Sequence, residues 1–440
     1  MQTKTFRFLI LSLLALSVLG GGVGSYFWFF ERGEEAIAYQ TPEEADSYVR
    51  FDMEAYDIIK EHYWQSASDG DLAGLFELSL EKASGEDATL ATSTRSGVAG
   101  MLKVAFDKKE TAEEKKELAV QTLIVALHNL APQGRSGLLS QKEETALRDR
   151  VANINPNSNL YQALDIKEGA SQAAVEEAFQ KKKEELSEDG SPEAKEKLAQ
   201  AKYAQEVLSD ETTKKNYDEQ KIEPTVFTRI YGSDTLYANF IKISPTTLQE
   251  FVSDVVTETN EQKLAHLIVD FRGNEGGALD FARYFLGVFV GPNQYAADLF
   301  HQGEREAERT PEQIPVVAEL KQFEEIVFLT DEHTQSTAEL TAAIFKRFSL
   351  ATVVGTKTKG WGTVENTYPI ETEIAEGEKY SLYLVNSLTL RDDQQPIEGN
   401  GVIPHVSIEE KGWEMRLLEY LDSRSLRSAV AEALSKEPQK

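Results

Sequence analysis

Residues 264–277 read LAHLIVDFRGNEGG, an apolar run that ends in a glycine-rich turn. Ile, Val and Phe suit a pleated, buried surface, so the run predicts a buried strand. Gly273, Gly276 and Gly277 then stop regular structure and open backbone conformations closed to other residues. Short apolar runs recur at 326–330 and 351–355, and the segments 278–290 and 337–348 read as helices. This β–α–β rhythm predicts an α/β fold with a mainly parallel sheet. Residues 380–390 (YSLYLVNSLTL) alternate and read as a more exposed strand, and 413–434 reads as an amphipathic closing helix.

The rest of the chain is organised differently. Its 440 residues suffice for several domains. Residues 6–30 contain no acid and carry Arg7 as their one charge, a length and composition that can span a bilayer. Lys4 and Arg7 precede the run and Glu31, Glu34 and Glu35 follow it, so the positive-inside rule places the bulk of the chain outside the cytoplasm. A cleaved signal peptide is the rival, with its apolar region at 9–19. No small-residue cleavage site is evident, and the aromatic cluster 26–30 suits a membrane interface. The expectation is therefore a single-pass protein of the cell membrane, secreted if the segment is cleaved. Residues 36–152 read as a helical lead-in, with Thr111 and Glu114 forming a capping box. The remaining expected units are 158–222, 226–412 and 413–440.

Composition excludes whole classes of function. Lys and Arg total 46 against 74 for Asp and Glu, a formal net charge of −28. No basic footprint for nucleic acid is present. There is no cysteine, so disulfides, thiolate metal sites and a Cys nucleophile are ruled out. None of the six His falls in an H-E-x-x-H pattern. No metal or organic cofactor is implied.

Residues 160–219 contain LYQALDI, ASQAAVEEAFQKKKEEL and AQEVLSDETTKKNYDE. This stretch resembles the DnaJ-type J domain, most specifically in its AQEVLSD…NYD ending. The resemblance implies a small all-α unit packed through Leu160, Leu164, Val175, Phe179, Val207, Leu208 and Tyr217. That family recruits Hsp70 through His-Pro-Asp, and the matching slot here is Ser187, Glu188 and Asp189. A co-chaperone role is thus disfavoured, and a structural or binding module is the expectation.

The signature D-x-R-x-N-x-G-G stands as Asp270, Arg272, Asn274, Gly276 and Gly277. With the segments 327–344, 354–364 and 398–406 (EGNGVIPHV), it resembles the tail-specific, or carboxyl-terminal processing, serine proteases. The J-like stretch stands where that family usually carries a PDZ domain. The resemblance puts the nucleophile at Ser336, and the oxyanion donors at the backbone of Gly276 and Gly277 and at the N–H of Thr337. A serine at a helix N-terminus sits among unpaired N–H groups, which suits an oxyanion site. Read alone, Ser336-Thr-Ala-Glu339 is an S-x-x-E capping box, and local sequence would favour that reading.

The family's base is a lysine about twenty-five residues after the serine. Here GTKTKGWGTVE over 355–365 puts Trp361 in that slot and Glu365 in place of the usual glutamine. Indole has no basic lone pair. Lys359, two residues earlier, reaches the same side if the segment is extended, and Lys357 is the next candidate. A working lysine must be largely neutral, which Glu365 would oppose. His333 titrates in the right range but reads as an ordinary loop residue. Relatives with a Ser–His pair draw the His from upstream, where this chain carries His128, Gln133 and Arg135. His405 replaces the acid of the G-x-G-x-x-P-D motif and reads as a surface change. Asp270 and Arg272 read as anchors of the glycine turn. The leading expectation is an extracytoplasmic serine peptidase cleaving polypeptides through an acyl-enzyme on Ser336, with Lys359 as base. The alternative is a pseudo-protease that binds peptides or scaffolds partners without turnover.

Overall fold

The computed structural model describes residues 40–155, 158–187, 189 and 191–438. The apolar segment 6–30 lies outside the described residues. Among the described residues no helix is long and apolar enough to cross a membrane.

Four helices open the described chain: α1 (Ser47–His62), α2 (Asp69–Ser84), α3 (Arg95–Asp107) and α4 (Ala112–Asn129). Each starts where a side chain can take an orphan N–H: Asp46, Ser68, Thr94 and Thr111. The Thr111–Glu114 capping box is present, with N–H to side-chain distances of 3.2 and 2.9 Å. Apolar residues at helical spacing, Phe51, Tyr56, Phe76, Leu102, Phe106 and Leu123 among them, are fully buried. A short strand β1 (Gly137–Ser140) and helix α5 (Gln141–Val151) follow.

Residues 160–220 form a separate helical unit: α6 (Leu160–Ala163), α7 (Gln172–Ser187), α8 (Pro192–Ser209) and α9 (Glu211–Gln220). It has its own core of Leu160, Tyr161, Leu164, Val175, Val207, Leu208 and Tyr217, with Phe179 packed against it. The chain enters and leaves this unit at one place. Ile154 bridges Ile222, Asn155 N–H donates to Lys221 O (3.2 Å), and Glu223 N–H donates to Asn153 O (3.2 Å).

The remainder contains β2 (Val226–Tyr231), β3 (Thr235–Phe240), α10 (Thr247–Glu261), β4 (His266–Asp270), α11 (Phe281–Val290), β5 (Tyr295–His301) and β6 (Glu304–Arg309). Next come β7 (Glu325–Thr330), α12 (Thr337–Arg347), β8 (Thr352–Gly355), β9 (Thr363–Ile370), β10 (Tyr380–Thr389) and β11 (Val406–Ser407). The chain closes with α13 (Trp413–Arg416) and α14 (Arg424–Leu434). One sheet has the order β11-β8-β7-β4-β3-β2, parallel throughout except for the β2–β3 pair. A phenylalanine cluster, Phe240, Phe251, Phe271, Phe285, Phe328 and Phe345, fills the space between this sheet and its helices.

Two expectations need correction. Strand β10 is not the exposed strand its alternation suggested: most of it is buried, because β1, β5 and β9 all pair with it and α1–α4 pack over it. Ile370, Leu382 and Leu384 share one core with those helices, so the lead-in is packed into the second sheet. The closing segment 413–434 is likewise not one helix. Glu325 accepts the N–H groups of Asp422 (2.7 Å) and Ser423 (3.0 Å), and Ser423 caps α14 through Leu426 N–H at 3.2 Å. Those bonds hold the backbone extended between two short helices.

Asp52 of α1 is completely buried, and neither carboxylate oxygen has a hydrogen-bond partner among the described residues. Burial holds its carboxyl well above the usual range. The folded state therefore keeps a proton that the unfolded state releases above about pH 4. Its stability contribution is complete below that pH and is lost as pH rises, at about 1.4 kcal/mol per unit until the folded pKa is reached. Urea titrations of Asp52→Asn should show higher stability at pH 8 and a shallower fall between pH 4 and 8. An unchanged pH slope would contradict this account.

Candidate active site

Two loops at the carboxyl ends of neighbouring parallel strands build the site, the usual place for chemistry on such a sheet. After β4, the fully buried Asp270 pairs with Arg272 at 2.6 Å and accepts the Tyr237 hydroxyl at 2.7 Å. Arg272 also donates to Ala433 O (3.0 Å) and Lys436 O (3.1 Å). This pair ties the glycine turn to the C-terminal helix, as anchors would.

Asn274, also fully buried, shapes the turn itself. Its Nδ2 donates to Phe240 O (2.6 Å) and its Oδ1 accepts Gly276 N–H (2.8 Å). Its carbonyl accepts Gln335 N–H (2.9 Å), which draws the loop after β7 onto the turn. The two glycines are required by space. At Gly276 (φ +81°) a Cβ would lie 2.7 Å from the Ser336 Cβ. At Gly277 a Cβ would lie 1.7 Å from Ile243 O.

Ser336 heads α12 with φ 57° and ψ −128°, a conformation that costs a non-glycine residue about 1–3 kcal/mol. Such outliers cluster at functional sites. An ordinary N-cap sits in the extended region, so this is not a plain cap. The conformation is held from outside: Ser336 N–H donates to Trp361 O (3.1 Å) and to the Glu339 carboxylate (2.9 Å). Gly276 N–H is committed to Asn274. The N–H groups of Gly277 and Thr337 have no acceptor among the described residues. Thr337 Oγ1 donates to Gly277 O at 3.0 Å, so the two residues are joined across the turn. The arrangement offers two unspent donors beside a strained serine, which is what an oxyanion site needs.

Glu339 is the hub beneath it. This buried carboxylate accepts Ser336 N–H, Gly360 N–H (2.7 Å), Trp361 N–H (2.8 Å) and the Thr358 hydroxyl. Burial pushes its carboxyl up, and those donors pull it back. Sequence reasoning saw Glu339 only as half of a capping box. Its second role, fixing the 358–361 loop, depends on residues too distant in sequence to be paired by eye.

Trp361 occupies the slot where the resemblance implies a lysine. Its Nε1 donates to Glu365 Oε1 (3.2 Å), and the Arg135 guanidinium lies 3.4 Å from its ring centroid. Glu365 also accepts the Thr363 hydroxyl at 2.5 Å, and burial raises its carboxyl pKa. Arg135 pairs with Glu398 at 3.1 Å, while the other Glu398 oxygen accepts Gly362 N–H (2.8 Å). Arg135 arrives on a loop held by Trp64 Nε1, which donates to Ala131 O (2.7 Å).

Lys359 is exposed, and its N–H donates to Thr334 O (3.0 Å). The condition for placing it beside Trp361 was an extended segment. Gly360, at φ +85°, ends that alternation. The Lys359 ammonium has no hydrogen bond or ion pair among the described residues, and Lys357 is exposed as well. His333 is 70% exposed, with its Nε2 3.9 Å from the exposed Glu332 carboxylate. His405 is half-buried rather than a surface residue: its Nδ1 accepts Val353 N–H at 3.0 Å, and burial lowers its pKa.

Residues 237–408 match peptidase family S41. A probable CtpA-like serine protease of Staphylococcus epidermidis is 29% identical over 169 residues, which is 38% of this chain and 32% of that protein. A carboxy-terminal-processing protease of Bartonella bacilliformis is 26% identical over 206 residues, 43% of this chain and 44% of the relative. The matched stretch thus spans between a third and a half of those relatives. The solved photosystem II D1 C-terminal processing protease aligns at a TM-score of 0.46 and 13% identity, over 83% of this chain and 93% of that one. Ser336, the two glycines, Trp361 and Glu398 all lie within the S41 segment, whereas Arg135 comes from outside it.

Replacing Glu339 by Ala leaves the N–H groups of Gly360 and Trp361 and the Thr358 hydroxyl without this acceptor, while Ser336 N–H keeps Trp361 O. At about 1–3 kcal/mol for each buried unsatisfied group, the loss should reach roughly 3 kcal/mol or more. Thermal unfolding of Glu339→Ala measures it, and a change below about 1 kcal/mol would remove Glu339 from this role.

Proposed function

We propose that the protein is a serine peptidase of the carboxy-terminal-processing type, cleaving polypeptides through an acyl-enzyme on Ser336. The observation that carries this is Ser336 held at φ 57° beside the unspent N–H groups of Gly277 and Thr337. In the proposed reaction the Ser336 hydroxyl attacks the scissile carbonyl, and those two N–H groups stabilise the oxyanion. Lys359 is the proposed proton acceptor. It is exposed, so in this proposal a bound polypeptide must cover it before it can act as a base.

The second reading is a peptide-binding pseudo-protease. It is favoured by Trp361 and by the Arg135 guanidinium stacked on it, since neither group accepts a proton at neutral pH. Under either reading the partner is a polypeptide. The sequence of residues 6–30 supports a membrane-anchored, extracytoplasmic placement, and the unit at 160–220 is proposed as a structural or binding module rather than an Hsp70 recruiter.

The test is cleavage of a disordered polypeptide by the full chain in detergent, with Ser336→Ala and Lys359→Ala beside it. Loss of cleavage by at least about a thousandfold in Ser336→Ala is expected for a nucleophile. Binding without cleavage by the unaltered chain would sink the peptidase reading, and Trp361→Lys would then show whether one residue restores turnover.

A further inference from the structure

We infer that Arg135 recognises a carboxylate of the polypeptide bound in this site, an inference that rests on the proposed binding of a polypeptide beside Ser336. The guanidinium is fixed on two sides, by the Trp361 ring at 3.4 Å and by Glu398. Its contact with Glu398 is not a fork-to-fork pair. Nε (3.3 Å) and Nη2 (3.1 Å) both reach the same oxygen, Oε1. The other oxygen is spent on Gly362 N–H. Arg135 Nη1 has no acceptor among the described residues. The end of the guanidinium formed by Nη1 and Nη2 is therefore unspent, in a side chain that is only 18% exposed.

A locked, partly unsatisfied guanidinium fork is shaped for bidentate binding of one carboxylate. Its position bears on the reaction. The indole beneath it belongs to the residue whose carbonyl accepts Ser336 N–H at 3.1 Å. Glu365 accepts the indole Nε1–H, and burial pushes its carboxyl up while Arg135 pulls it down. In a chain of net charge −28, a fixed cation here offsets repulsion of an anionic chain end. The carboxylate has two possible sources, the terminal α-carboxylate or an Asp or Glu side chain next to the cleaved bond.

The test is direct binding to the full-length Ser336→Ala protein in detergent, by fluorescence anisotropy, so that turnover is not needed. Three pools of short random peptides serve as probes: free-acid ends, amidated ends, and amidated ends with Glu as the last residue. The free-acid pool should bind about tenfold or more tightly than the amidated pool, the scale of a charge-assisted bond. Adding Arg135→Gln should bring the free-acid pool down to the amidated level and leave the amidated pool unchanged. Arg135→Lys should restore part of the difference. Recovery of tight binding by the Glu-ended amidated pool would assign the side chain as the source, and its failure would assign the chain end. Equal binding of all three pools, equal weakening of all three by Arg135→Gln, or no binding of any pool would each overturn the inference. Acid-dependent binding in a protein whose unaltered form never cleaves would instead sink the peptidase reading alone.

Discussion

The buried carboxylate of Glu339 is the interaction on which the site depends. It stands in the first turn of α12, where the helix N-terminus favours negative charge. Its two oxygens collect N–H groups from Ser336, Gly360 and Trp361, together with the Thr358 hydroxyl. Desolvating that group is costly, and the donors offset the cost only if both loops take one arrangement. The same bonds that make Glu339 tolerable underneath thus force Ser336 into its strained backbone above. Asn274 works from the opposite side, joining the glycine turn to Gln335. Serine, glycine turn and 358–361 loop are thereby tied to one another by hydrogen bonds.

Much of this was legible in the chain, because the informative signals are local. The run into Gly276 and Gly277 gave the strand and turn, and the parallel sheet followed from the β–α rhythm. Ser336 was singled out by the resemblance to the carboxyl-terminal processing proteases, since its local sequence alone favoured a plain helix cap. What was not legible depends on long-range packing. Alternation in 380–390 reads as a half-exposed strand only if nothing covers its second face. Here α1–α4 supply that cover from about three hundred residues away in sequence. The position of Lys359 turned on a single glycine, since i and i+2 share a side in a strand but not across φ +85°. Residues 413–434 have helical periodicity, and periodicity says nothing of the Glu325 carboxylate that interrupts them. The Arg135–Trp361 stack lay furthest from reach, since it joins two residues with no shared pattern.

That stack also explains why the helical lead-in and the S41 segment are one structure. The loop carrying Arg135 is fixed by Tyr63 and Trp64 at Ala131 O, at the end of α1. The same α1 is packed on β10 through Phe51 and Tyr380, whose rings lie 5.6 Å apart. A change in the helical core therefore reaches the site through the backbone that presents Arg135, with no contact to Ser336 required.

The chemistry of the exchange at residue 361 can be stated in terms of charge and basicity separately. A lysine in that slot would bring both a cation and, once neutral, a proton acceptor. Trp361 removes both, but its ring draws Arg135 to within 3.4 Å, and Glu398 holds the guanidinium there. A positive charge is thereby returned to the locus in a form that does not lose its proton. Proton acceptance is not available from the residue at 361 itself. Any turnover must then take its base from a group that substrate binding brings in or desolvates. Under the proposed function, affinity for a polypeptide and the rate of its cleavage would depend on different residues.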